Sequence, residues 1–166
     1  MGARSTDITG STCSPTTRSF DDFYRREWAG AVRLAHLLTG VDAVAEDLAQ
    51  DAFAAVESRW SSIDNAVGYL RTAVVNTCRS WQRRRSREDA RLRRVAPLMR
   101  PHVDLGERDL LDAVDALPFR QRAVLVLRFY HDLSEREIAE TLGCRPGTVK
   151  SSSARALRQL RRVIER

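Results

Sequence analysis

The chain has 166 residues, enough for one domain or for two small ones. A hydrophobic content of 43% can supply real cores, and a formal net charge of +6 favours a polyanionic partner. Three scattered cysteines and three isolated histidines argue against a metal site and fit a reducing cytoplasm, and no apolar run is long enough for a membrane span.

The N-terminal stretch, residues 1–19, is rich in Ser, Thr and Gly and nearly lacks large apolar residues, which predicts a disordered tail. Residues 20–39 follow with apolar side chains at helical spacing, and Gly40 is suited to end that helix. The predicted apolar face comprises Phe20, Phe23, Tyr24, Trp28, Ala31, Val32, Ala35 and Leu38.

A second helix is predicted to begin at Asp42, whose carboxylate can cap it. Its apolar face comprises Ala45, Leu48, Ala49, Ala52, Phe53, Val56 and Trp60. Its outer face comprises Glu46, Asp47, Gln50, Asp51 and Glu57. An acidic face on a basic protein can bind a basic partner, although from these residues alone a solvated surface is the preferred interpretation.

A third helix is predicted from Ala66, capped by Asn65 or Asp64. The residues expected to point inward are Val67, Leu70, Val74, Cys78 and Trp81. The opposite stripe carries Thr72, Asn76, Arg79 and Arg83, with Tyr69 and Trp81 nearby. Polar, cationic and aromatic side chains in this pattern suit a nucleic-acid backbone and unstacked bases. A solvated basic helix end is the alternative.

Residues 95–107 contain Pro97, Pro101 and Gly106 and are predicted to form a flexible linker. Beyond it, a short helix bearing Leu110, Leu111, Val114 and Leu117 is expected to end before Pro118. Residues 119–130 then predict a strongly apolar helix that is buried under the segment that follows.

Residues 132–162 have the features of a helix-turn-helix. Ser134 and Glu137 form a capping box, Gly143 can end the first helix, and Pro146 suits the first turn of the second. The predicted buried stripe of the second helix is Val149, Ala156, Leu157, Leu160, Val163 and Ile164. Its outer face is Thr148, Ser151, Ser152, Arg155, Arg158 and Arg162. Such a helix suits the major groove of DNA, the alternative being a basic helix at a domain end.

The predicted fold is therefore all-α, with two small helical domains joined by a flexible linker. We expect a tail at 1–19, a first domain at 20–94, the linker at 95–107, and a second domain with the helix-turn-helix at 108–166. No Ser/His/Asp set, carboxylate pair or phosphate-binding loop stands out, so we expect neither an enzyme nor a small-molecule substrate.

Five stretches together resemble a bacterial RNA polymerase sigma factor of the extracytoplasmic-function (ECF) type, closest to an actinobacterial subgroup. These stretches are FDDFYRREWAGAVRLAHLLTG, VAEDLAQDAFAAVESRW, GYLRTAVVNTCRSWQRRRSR, LPFRQRAVLVLRFYHDLSEREIAETLGC and GTVKSSSARALRQL. The resemblance implies a cytoplasmic protein that binds core RNA polymerase, through the beta-prime clamp helices and the beta flap, and directs promoter-specific initiation. Promoter DNA is the second partner, and an anti-sigma factor is the regulator that the family implies; no cofactor is implied.

The resemblance also assigns roles to individual residues. Those implied to contact the polymerase clamp are Glu46, Asp47, Leu48, Gln50, Asp51 and Phe53. Those implied to open and hold the minus-ten element are Tyr69, Thr72, Asn76, Arg79 and Arg83. Those implied to read the minus-thirty-five duplex are Arg145, Thr148, Lys150, Ser151, Ser152 and Arg155, and the outward position of Arg158 adds it to this set.

One departure affects the recognition helix, because many ECF members carry Arg-Leu-His where this chain has Ser152-Ser153-Ala154. The base preference of those members therefore does not transfer, and recognition is expected to depend more on Arg155 and Arg158. A stand-alone helix-turn-helix regulator remains the main alternative function. A helical decoy that binds polymerase without opening promoters is a second, and a serine recombinase a third, although only helices are predicted before residue 95.

Overall fold

The computed structural model describes residues 19–93 and 113–165, and within those ranges it contains helices and no strand. The first bundle consists of α1 (Phe20–Thr39), α2 (Asp42–Glu57), a 3₁₀ turn (Trp60–Ser62) and α3 (Ala66–Arg93). The second consists of α4 (Phe119–Phe129), α5 (Glu135–Leu142) and α6 (Pro146–Ile164). The all-α prediction is confirmed. The predicted tail up to Arg18, the linker 95–107 and the first residues of the second domain lie outside the described ranges.

An aromatic cluster closes one end of the first bundle. The ring of Phe53 on α2 lies 4.7 Å from that of Tyr24 and 6.0 Å from that of Phe23, measured between centroids. Trp60 contacts Phe23 at 5.0 Å and Phe20 at 5.4 Å. These rings join three elements, so the aromatic stripe of α1 belongs to the core, as predicted. The stripe also includes Leu34, which the sequence analysis did not place there and which is 2% exposed.

The ends of α1 and α3 follow the predicted chemistry. Gly40 adopts a left-handed conformation with φ of 69°, and its N–H donates to the carbonyl of His36 at 2.8 Å. Asn65 caps α3, since its Oδ1 accepts a hydrogen bond from the N–H of Gly68 at 2.9 Å. The prediction that Asp42 caps α2 was wrong. Val41 is the extended N-cap residue and Asp42 is already helical, with its carboxylate 2.7 Å from Nδ1 of His36.

The helix-turn-helix forms as predicted. The Ser134 hydroxyl accepts from the N–H of Glu137 at 3.3 Å, and the Glu137 carboxylate accepts from the N–H of Ser134 at 2.9 Å. Gly143 ends α5 with φ of 61°, and Pro146 opens α6. Two orphan N–H groups of α5 are thereby satisfied, which fixes where the helix begins.

The buried face of α6 is rotated from the predicted one. Leu157, expected inside, is 45% exposed, whereas Ser152, expected outside, is 7% exposed. At about 100° per residue, Ser152 falls roughly 60° from Val149 on one side and Leu157 roughly 80° away on the other. Ser152 therefore lies inside the buried sector and Leu157 at its edge. The side chains of Val163 and Ile164 lie outside the described set, and Val67 on α3, also expected inside, is 40% exposed.

The two bundles share one continuous core. A single cluster of buried apolar side chains runs from Leu34, Leu38 and Val74 in the first bundle to Leu127 and Ile138 in the second. A second, smaller cluster lies wholly within the second bundle, between Leu117, Leu125, Ala156 and Leu160. Helices α4 and α5 thus pack against α1 and α3. The sequence predicted two tethered domains and did not predict this contact.

Candidate nucleic-acid and polymerase interfaces

The outer face of α6 presents free cations. Lys150, Arg155 and Arg158 are exposed, and so is the N-cap residue Arg145. No described carboxylate lies within ion-pair distance of these four side chains, whereas Arg161 on the same helix pairs with Glu165 at 3.9 Å. Guanidinium groups without an intramolecular partner remain available for base edges and phosphates. The structure therefore brings these four predicted residues to one accessible region.

The small polar residues of α6 divide differently. Ser151 is exposed and its hydroxyl donates to the carbonyl of Thr148 at 3.1 Å, while Thr148 itself is half-buried. Ser152 lies in the interior with Ser153, so its predicted place on the outer, DNA-facing side was wrong. Two small side chains there allow α6 to approach its neighbours closely.

The predicted minus-ten residues form one stripe along α3, but they differ in accessibility. Asn76 and Arg83 are exposed, whereas Tyr69, Thr72 and Arg79 are half-buried. The Thr72 hydroxyl donates to the carbonyl of Gly68 at 3.0 Å within α3. Tyr69 and Thr72 line a cavity together with Glu137 and Glu140 of α5, so they face the second bundle.

Arg79 shows that contact directly. Its Nη2 donates to the carbonyl of Leu142, the last residue of α5, at 3.2 Å. Burial lowers the pKa of this guanidinium, and the neighbouring charges of Arg120 and Arg83 lower it further. This hydrogen bond engages one of the five N–H donors of the Arg79 guanidinium with the end of α5.

Beyond this stripe, α3 carries further exposed arginines. The guanidinium of Arg85 lies 5.2 Å from the centroid of the half-buried Trp81 ring, within cation–π range. Arg84 and Arg87 are exposed as well. The C-terminal half of α3 thus presents several exposed arginines, one of which stacks on Trp81.

The acidic face of α2 is exposed as predicted, Glu57 included. Glu46, Asp47, Gln50 and Asp51 are exposed on the outer side of the helix. Leu48 and Phe53 are 4% and 2% exposed, because they lie on the opposite face and pack into the core. Neither side chain is accessible in this structure, so their predicted contact with a partner is untested, and the accessible members of the predicted set are Glu46, Asp47, Gln50 and Asp51.

Arg122 was not among the predicted functional residues. It is 4% exposed and is the only charged side chain buried among the described residues. Its Nη1 donates to the carbonyl of Leu38 at 3.1 Å, across the boundary between the bundles, and Nη2 donates to the carbonyl of Asp115. Burial lowers its pKa, and the Asp115 carboxylate opposes that shift. An arginine inside the apolar run FRQRAVLVLRF was the available signal.

Comparison with known proteins agrees with this geometry. The model of Sigma-70 region 2 matches residues 21–88, and that of Sigma-70 region 4 matches residues 107–160. The chain is 34% identical over 151 residues to the RNA polymerase sigma-E factor of Streptomyces coelicolor, covering 87% of this chain and 85% of that one. The chain belongs to the ECF sigma factors of the sigma-70 family.

Other relatives agree with this assignment. The ECF RNA polymerase sigma factor SigM of Mycobacterium tuberculosis H37Rv is 32% identical over 151 residues, covering 88% of this chain and 77% of that one. The crystallised sigma factor RpoE of Bartonella quintana, in complex with the anti-sigma factor NepR, superposes with a TM-score of 0.71 at 25% identity. That match covers 88% of this chain and 96% of RpoE.

The first bundle is thus sigma region two and the second is sigma region four. As an ECF sigma factor, the chain binds core RNA polymerase and directs promoter-specific initiation of transcription. None of the helices in the described ranges could cross a membrane, and no metal-binding cluster occurs among the residues described there.

Proposed function

We propose that three faces of the protein, on α2, α3 and α6, each bind a different part of the initiation complex. The acidic side of α2 (Glu46, Asp47, Gln50 and Asp51) binds the beta-prime clamp helices of core polymerase. The polar stripe of α3 binds the unpaired non-template strand of the minus-ten element. The outer face of α6, with Arg145, Lys150, Arg155 and Arg158, binds the minus-thirty-five duplex, and region four also contacts the beta flap.

The observation that carries this proposal is the separation of charge. Four exposed acidic or amide side chains occupy one side of α2, whereas α3 and α6 present exposed arginines and a lysine. Opposite charges on separate faces can serve a basic protein partner and DNA at the same time. We place the protein in the cytoplasm and assign catalysis to the polymerase and not to this subunit.

The test is run-off transcription with purified core polymerase. Asp47→Arg should weaken core binding and lower transcription, because it puts a cation where we expect a basic partner. Asp21→Arg is the matched control, since it makes the same charge change at an exposed position of α1 outside the three faces. Equal core affinity of the two variants would contradict the assignment of α2.

A stand-alone helix-turn-helix regulator would behave differently in the same assay. It would bind its DNA tightly without core polymerase, usually as a dimer, and would not start promoter-specific transcription. An anti-sigma factor is a further proposed partner, suggested by the RpoE–NepR complex. Co-purification from the native cell would identify it.

A further inference from the structure

We propose that the cavity between α3 and α4 binds a small molecule that carries a pyrophosphate group. The cavity has a volume of about 330 Å³, which is within the size range of small-ligand sites. Helix α3 lines it with Arg79, Arg83 and Arg87, and α4 lines it with Phe119 and Arg120. Such a ligand is neither DNA nor polymerase, so the site goes beyond the proposed function.

The wall of this cavity is strongly cationic. Four arginines line it, and no carboxylate does so among the described residues. Arg83, Arg87 and Arg120 are exposed, and none of them has an ion-pair partner in the described part of the chain. Cations gathered in a cleft without a counter-charge raise the local concentration of anions. The charge of the cavity therefore favours an anionic ligand.

The arginines of the cavity also repel one another across the gap between the two helices. Burial lowers the pKa of Arg79, and the charges of Arg120 on α4 and of Arg83 on α3 lower it further. These cations therefore lie close enough to disfavour one another's charged form. An anion bound between them would replace this repulsion with attraction.

The spacing of the arginines along α3 selects the length of the anion. Arg79, Arg83 and Arg87 follow one another at four-residue intervals, which places them on one side of the helix. At about 1.5 Å per residue, the row extends roughly 12 Å along the helix axis. A single phosphate can contact only part of such a row, whereas two linked phosphates offer oxygens to successive guanidinium groups. Each guanidinium can bind phosphate oxygens through two parallel hydrogen bonds.

The start of α4 adds a second kind of anion-binding group. Phe119 and Arg120 line the cavity and are the first two residues of this helix. The N-cap residue is Pro118, no described side chain caps the helix, and its first turn has no acidic residue. The N-terminus of a helix carries partial positive charge and attracts phosphate. The half-buried Phe119 also offers apolar surface on which the base of a nucleotide can stack.

Isothermal titration calorimetry of the full chain with sodium pyrophosphate tests the proposal. At physiological salt, which screens general attraction to a basic surface, one pyrophosphate should bind per protein. Inorganic phosphate should bind at least about tenfold more weakly, since it can form fewer charge-assisted hydrogen bonds. Absence of pyrophosphate binding, or equal affinities for the two anions, would overturn the proposal.

The substitution Arg120→Gln tests the location of the site. It removes one cation of the cavity at an exposed position and should lower pyrophosphate affinity by about tenfold, as expected for the loss of a charge-assisted hydrogen bond. Arg25→Gln is the matched control, because it makes the same change at an exposed position of α1 outside the cavity. An equal loss of affinity in both variants would indicate binding to the basic surface as a whole and would contradict the site.

A carboxylate placed inside the cavity gives an independent test. Ser86 lines the cavity, so Ser86→Glu should pair with its arginines and weaken pyrophosphate binding at least as much as Arg120→Gln does. Ser80→Glu is the control, because Ser80 is an exposed serine of the same helix that does not line this cavity. Unchanged affinity in the Ser86→Glu protein would place the ligand elsewhere.

Titration with ADP identifies the source of the pyrophosphate group. Tighter binding of ADP than of pyrophosphate would support a nucleotide whose base contacts Phe119, and the reverse order would support free pyrophosphate. A short oligothymidylate strand separates both ligands from DNA. If binding of this strand depends on Arg120 and binding of ADP and pyrophosphate does not, the cavity serves the DNA backbone and the proposal is wrong.

Discussion

At the scale of single residues, α6 separates side chains that can reach DNA from side chains that cannot. Arg155 is exposed without an ion-pair partner among the described residues, whereas Ser152 is 7% exposed. We expect Arg155→Ala to lower transcription from minus-thirty-five-dependent promoters by roughly fivefold or more, because one bidentate base contact contributes about 1–3 kcal/mol of discrimination. Core binding should be unchanged.

Ser152→Ala is the internal control for that prediction. It removes a hydroxyl from the interior and leaves the exposed surface as it was, so promoter preference should stay the same. Run-off transcription on promoters with altered minus-thirty-five sequences measures both effects. A change of preference in the Ser152→Ala protein, with none in the Arg155→Ala protein, would reverse the assignment.

The thiol of Cys78 should be inert in the native protein. It is fully buried on α3, and burial raises its pKa to about 12. The thiolate is the reactive form, so iodoacetamide should not modify Cys78 at neutral pH, while the half-buried Cys144 should react. Mass spectrometry of a Cys13→Ser protein, before and after denaturation, checks this. Rapid native modification of Cys78 would show that α3 separates readily from its neighbours.

Single-residue predictions from sequence succeeded where the chemistry is local. The capping box at Ser134, the cap at Asn65 and the left-handed Gly40 and Gly143 each depend on a few adjacent residues. Failures arose where a neighbouring helix decides the outcome. Whether Ser152 is buried depends on which side of α6 the other helices cover, and a hydrophobic stripe locates that side only to within tens of degrees.

At the scale of elements, the start of α5 is the feature most open to a direct test. Ser134→Ala should lower the free energy of unfolding by about 1 kcal/mol, a typical loss for removing an N-cap hydroxyl. Chemical denaturation followed by circular dichroism measures it. Ser151→Ala is a suitable comparison, because its hydroxyl bonds a carbonyl within α6 and caps nothing, and it should change stability less.

The helices themselves were largely predictable, because each has an apolar stripe of helical period, and α1 and α5 end at a left-handed glycine. The contact between the two bundles was not. An apolar stripe specifies that a face is buried but does not identify the partner, and α4 uses different sides for the two core clusters. The buried Arg122 marks that boundary, yet it is one of three arginines in α4, and sequence alone does not single it out before its partner, the Leu38 carbonyl, is seen.

At the scale of the whole molecule, acidification should favour separation of the two regions. His131 lies between them and lines a cavity with Glu27 of α1 and Arg71 of α3. Burial lowers its pKa below the ordinary 6.5, and the charge of Arg71 lowers it further. Contact between the two regions therefore favours the neutral imidazole. The stabilisation that neutral His131 gives to this contact is complete above the ordinary pKa of 6.5. It is lost as the pH falls through the lowered pKa.

Nitroxide labels at Glu57→Cys and Gln159→Cys, both exposed, report the distance between the two regions. Measuring that distance at neutral and at mildly acidic pH checks this expectation. The distribution should broaden on acidification in the natural chain. It should respond less in a His131→Gln variant, which cannot acquire the charge. A response of equal size in both proteins would place the pH-sensitive group elsewhere.

The shared core has a consequence for a protein that is cut into two fragments between its regions. Leu127 and Ile138 are buried in the same cluster as Leu34 and Val74, so each half completes the interior of the other. Two separately produced polypeptides, residues 19–93 and 113–165, should reassociate on mixing into a non-covalent heterodimer. Promoter-specific transcription by the polymerase would then depend on the association of the two fragments.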